Sequence, residues 1–91
     1  MFRPSDELTF DTVQIDRKRL LKYVQSPDLS AVRLDLSHVT QCDSAGLALL
    51  IEAKRVSKKF NKLFKIMNMP ETICALAEFC GVEAMLRNDN E

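Results

Sequence analysis

Ninety-one residues, 46% of them apolar and 29% charged, describe one small globular domain (1–91) rather than a disordered tail or a membrane bundle. Thirteen basic side chains balance thirteen acidic ones, so no whole-molecule field gathers nucleic acid or anionic lipid. The longest apolar stretch, Leu47 to Ile51 behind Ala45 and Gly46, falls far short of the roughly 20 residues that span a bilayer. Arg3, Pro4, Asp6 and Glu7 open the chain with no apolar signal region, which predicts a cytoplasmic protein.

Residues 7 to 13 alternate polar and apolar, with Leu8 and Phe10 on one face, as a half-buried strand does. Asp16 is the expected N-cap of a first helix over Arg17 to Gln25, with Ile15 and Leu20 as a hydrophobic staple. Leu20, Leu21 and Val24 form its apolar stripe. Arg17, Lys18, Arg19 and Lys22 on the other side read as a solvated face or as a seat for an acidic partner. Ser26-Pro27-Asp28 ends the helix, because proline disfavours the α conformation in the residue before it.

Val32, Leu34 and Leu36 alternate as the central strand, with Arg33 and Asp35 turned outward. A polar turn then leads into Asp43-Ser44-Ala45-Gly46 and an apolar block that must become helical. Asp43 is placed to cap the second helix, which is expected to start at Ser44. Gly46 costs on the order of 1 kcal/mol inside a helix, so a backbone is expected to approach closely there. Turning 100° per residue puts Leu49, Ala53, Val56 and Phe60 on the core stripe and leaves Leu47 and Ile51 nearly opposite. Those two need a cover, from the chain itself or from a partner protein. Arg55, Lys58, Lys59 and Lys62 collect near the carboxyl end, where the helix dipole favours cations.

Residues 62 to 68 read as a strand in which Phe64 and Ile66 oppose Leu63, Lys65 and Met67. Pro70 opens a third helix with Ile73, Leu76, Ala77 and Cys80 as its stripe, and Gly81 follows as a C′ residue. Val82 to Leu86 suggests a last helical turn before a polar tail, Arg87 to Glu91. The expected architecture is α/β, a small mixed sheet of about four strands with three to four helices packed on it.

Catalytic sets are sparse. His38 and Cys42 are the one Cys/His combination, and nothing in the sequence orients the histidine as a base. Cys42, Cys74 and Cys80 contain no C-x-x-C and read as reduced thiols behaving as small hydrophobes, so neither a disulfide nor a metal site is expected. No Gly-rich phosphate loop occurs and no cofactor is implied. Ser44 remains. At a helix start, amides and dipole would offer donors to a phosphate, while Asp43 beside it repels one.

From Leu34 to Leu47 the chain resembles the STAS domain, the fold of bacterial anti-sigma-factor antagonists, through a strand followed by Asp-Ser-x-Gly-Leu at a helix start. Leu63 to Met67, Pro70 and Ala75 to Val82 extend the resemblance over rather more than half of the chain. The family commonly begins with two strands, and here only residues 7 to 13 make a convincing one. Asp43 to Ile51 and the closing Cys80 to Leu86 are most similar to the small STAS subunit of the Mla phospholipid-transport ABC complex.

That resemblance implies a non-enzymatic module at the cytoplasmic face of the inner membrane, held there through the transporter, with the ABC ATPase subunit as partner. It places the partner contact on Asp43, Ser44, Ala45, Gly46, Leu47 and Ile51. The other branch of the family implies an anti-sigma-factor kinase as partner and phosphorylation of Ser44.

Overall fold

In chain order the elements are β1 (Glu7–Leu8), α1 (Val13–Val24), β2 (Ala31–Asp35), β3 (Gln41–Cys42), α2 (Ser44–Lys59), β4 (Leu63–Met67) and α3 (Glu71–Phe79). A short 3-10 helix, Glu83–Leu86, follows. The computed structural model describes residues 1–89, so the last two residues of the expected polar tail, Asn90 and Glu91, lie outside it.

The expected α/β domain forms, with three α-helices packed on a small set of strands. β2 pairs with β4 in parallel, from Ala31 beside Leu63 to Asp35 beside Met67, and β1 pairs in parallel with β3. Parallel neighbours need crossovers, which α1 and α2 supply. In β4 the sequence pattern is realised: Phe64 and Ile66 are buried, and Leu63, Lys65 and Met67 are half-buried on the other face. Val32 and Leu34 join them in one cluster with Leu20 and Val24 of α1, Leu49, Leu50, Ala53 and Val56 of α2, and Ile73 and Ala77 of α3. Polar alternation along β2 and β4 thus leaves one face for the helices and a second that is less deeply covered.

The amino-terminal third departs from the sequence reading. The strand expected over 7–13 stops at Leu8, because Thr12 folds back: its hydroxyl donates to the Glu7 carbonyl at 2.6 Å and accepts from the Thr9 amide at 3.0 Å. Phe10, expected to be half-buried, is therefore 78% exposed. The first helix begins at Val13, so Asp16 sits in its first turn and not at its cap. Ile15 points to solvent and makes no staple.

Asp16 has another use. Fully buried, it accepts from the Ser5 amide and hydroxyl and pairs with Arg19 at 3.0 Å. This fastens the segment before β1. Phe2 then forms a parallel bridge beside Leu34, donating its amide to the Arg33 carbonyl at 2.8 Å and accepting from the Asp35 amide at 2.9 Å. Its ring lies 5.6 Å from that of Tyr23 and under the Arg19 guanidinium at 5.0 Å. The first strand that the family pattern leads one to expect is reduced here to a one-residue bridge, held by a buried carboxylate.

At the other end, residues 88 and 89 do not trail into solvent. Asp89 donates its amide to the Phe64 carbonyl and accepts the Phe64 amide, and Asn88 bonds both the amide and the carbonyl of Ile66. Two residues, through both side chains and the Asp89 amide, thereby satisfy the outer edge of β4, which would otherwise offer unpaired backbone to another chain. Lys62, between α2 and β4, donates its ammonium to the Val24 and Ser26 carbonyls at the carboxyl end of α1. Cys74 in α3 is half-buried and Cys80, just past its end, is exposed, so the thiols are less deeply placed than their stripe positions suggest. Phe60 of the α2 stripe is likewise exposed, because the helix has already ended at Lys59. Gly81 takes φ +73°, the left-handed C′ geometry expected of it.

Candidate docking site at the start of the second helix

Asp43 leaves β3 in an extended conformation and turns the chain into α2. One carboxylate oxygen accepts the Ala45 and Gly46 amides at 2.9 and 3.0 Å, the cap that the sequence predicts. The second oxygen accepts the Phe10 amide at 3.0 Å, a contact 33 residues away that no local pattern announces. One side chain therefore joins the helix start to the turn between β1 and α1. The Phe10 amide first, then those of Gly46 and Ala45, holds the Asp43 carboxyl below its ordinary value.

The expected site residues separate into two groups. Ser44 is exposed at the first position of α2, and Ala45 is half-buried beside it. Gly46 and Leu47 face inward. A Cβ on Gly46 would lie 2.0 Å from the Leu8 carbonyl oxygen, so the backbone that approaches this glycine is the chain's own β1. Leu47 is 3% exposed and belongs to the common core. Both are thus corrected from partner contacts to internal packing: the chain supplies the cover that Leu47 needed. Ile51 is half-buried against the core and borders a shallow recess with Lys54, Ala84 and Met85, which places it at the margin.

Spacings of four, three and four put Ser44, Ala48, Ile51 and Arg55 on one outward stripe of α2. No local signal marks Ala48 as a site residue, although one turn on from Ser44 reaches it directly, and Arg55 is marked only as one of the cations near the end of α2. Between this stripe and α1 runs an open groove of about 460 Å³, bordered by Val13 and Arg17 on one side and Ala45, Ala48 and Arg55 on the other. The exposure of Phe10 has no local signal either, since it follows from a turn made by Thr12.

The Cys42 thiol is pushed up to about 11, first by burial and then by the Asp43 charge, the reverse of an activated nucleophile. It donates to the Asp43 carbonyl, while an imidazole nitrogen of His38 bonds the Pro4 carbonyl. The two residues are held by different partners. The donors expected for a phosphate at Ser44 are also engaged, since Asp43 occupies the Ala45 and Gly46 amides. Among the described residues no cluster of three or more His, Cys, Asp or Glu side chains could hold a metal ion, and no helix is long and apolar enough to cross a membrane.

A strand, a capped elbow carrying an exposed serine, and a helix whose outward stripe is small and uncharged near its start define a small α/β domain. The family model described as "Mlab, STAS domain" matches residues 5–87, and the chain belongs to that family. STAS domains are in general non-catalytic interaction domains. No curated protein matches the chain.

Proposed function

We propose that this chain, as a single STAS domain, is the accessory subunit of an Mla-type ABC transporter, docking through the α2 elbow onto the cytoplasmic ATPase and supporting its activity in phospholipid transport. The complex would hold it at the cytoplasmic face of the inner membrane, where the transporter maintains outer-membrane lipid asymmetry. The match over residues 5–87 carries this reading. The exposed Ser44, bordered by Ala45 and Ala48 and set on a rigid cap, supports the elbow as the contact.

The test is binding of the purified chain to the purified ATPase encoded beside an Mla-type permease. Ser44→Asp adds charge at the surface and removes no core volume, so its melting curve should match the wild type. Its affinity should fall at least about tenfold, as for a charge forced into the centre of an interface. Wild-type binding that Ser44→Asp leaves unchanged removes the elbow from the interface. Failure of the wild type to bind removes the transporter assignment.

A further inference from the structure

The groove between α1 and α2 has a composition that names its occupant. Its α2 wall runs from Ala45 through Ala48, side chains small enough for another backbone to come close, with the exposed Ser44 just before it. Farther along it becomes cationic. Arg55 forms a two-point pair with Glu52 at 2.5 and 3.0 Å, and Arg17 borders the groove from the α1 side. Glu52 is the only acid on this lining. Its carboxyl is held low by Arg55 first and also feels Arg17, so the two cations of the lining share one carboxylate. The surplus is positive charge at one end of a groove whose other end is small and apolar. With Arg55 paired to Glu52, Arg17 is the lining charge in excess, in a chain that is neutral as a whole.

We propose that this groove seats an acidic amphipathic helix of the partner, its small apolar face on Ala45 and Ala48 and its carboxylates toward Arg17 and Arg55. The inference rests on the docking function proposed above and adds the chemistry and direction of the segment that binds. An apolar-faced helix laid into a groove is a recurring recognition mode, and opposite charge along its rim sets register.

Two measurements on the full chain with the purified ATPase decide it. A photo-crosslinking residue at Ala48 should join the chain to one ATPase peptide of net negative charge and helical apolar spacing, while the same residue at Lys22, on the far side of α1, should not. Arg17→Glu should weaken binding about tenfold with an unchanged melt, Arg17→Lys should retain affinity within about threefold, and reversing the crosslinked carboxylates should restore the Arg17→Glu complex. If Ser44→Asp abolishes binding while Ala48 yields no partner peptide and Arg17→Glu binds normally, the groove is empty and the elbow reading survives. A crosslinked peptide from a second copy of this chain, or from a basic segment, also overturns the proposal. If the ATPase does not bind the wild type, both readings fall together.

Discussion

Replacing Gly46 by alanine tests whether this glycine serves the fold or the partner. Position 46 lies inside the first turn of α2, where alanine should gain about 1 kcal/mol over glycine in helix propensity alone. Against that gain, the new Cβ would stand 2.0 Å from the Leu8 carbonyl oxygen, 2.7 Å from its carbonyl carbon and 2.8 Å from its Cβ. Ordinary carbon contacts begin well beyond 3 Å, so α2 or β1 must move by about 1 Å or more. Neither can do so freely: the Leu8 carbonyl accepts the Asp43 amide at 3.1 Å, and Asp43 in turn holds both the helix start and Phe10. Overpacking against immovable atoms costs about 3 kcal/mol, the upper part of its usual range. The net loss is then roughly 2 kcal/mol. For a domain of this size, total stability is about 5–14 kcal/mol and each kcal/mol is worth about 4–8 °C, so the melting temperature should drop by roughly 8–16 °C. Urea titration and thermal melts followed by circular dichroism measure it. A Gly46→Ala protein that is as stable as the wild type, or more stable, but no longer binds its partner would return Gly46 to the docking surface and refute the packing argument.

Asp16→Asn should destabilise the chain by roughly 3 kcal/mol, because Arg19 loses its buried counter-charge and one oxygen that Ser5 uses becomes a donor; an unchanged urea midpoint would show that the amino-terminal segment contributes nothing. In timed alkylation read by mass spectrometry, exposed Cys80 should react first and Cys42 last, since with a pKa of about 11 only about a thousandth of Cys42 is thiolate at pH 8; early labelling of Cys42 contradicts its burial. The folded-state pKa of Asp43 lies below 3.8, so the stability it contributes is complete above that value and is lost as pH falls through the folded pKa. Asp43→Asn should therefore lose less stability than the wild type as the pH falls below about 4, and superimposable acid unfolding curves would reject the assignment.

The central half of the molecule was legible because its signals are local. β2 and β4 announce themselves by alternation, and α2 by an Asp cap followed by apolar residues at helical spacing. These are short-range regularities of backbone and side-chain direction, and tertiary packing agrees with them. The elbow at Asp43 and Ser44 was read for the same reason.

The amino-terminal part was misread where a distant residue decides the outcome. Asp16 has the sequence position of a cap, and only the arrival of Ser5 and Arg19 makes it a buried anchor. Phe10 sits in an alternating pattern, and only the Thr12 turn and the Asp43 carboxylate expose it. Leu47 illustrates the converse: the helical wheel set it apart from the stripe, but β1 and the helices close around the start of α2 and bury it.

The sequence by itself therefore determined the α/β class, the capped elbow and an exposed Ser44 at the head of a helix, all set by interactions within a few residues. Tertiary structure alone decided that Gly46 and Leu47 face inward and that Ala48, Arg17 and Arg55 come together around one groove. Which side of a helix meets solvent depends on the elements packed against it, and those elements lie tens of residues away.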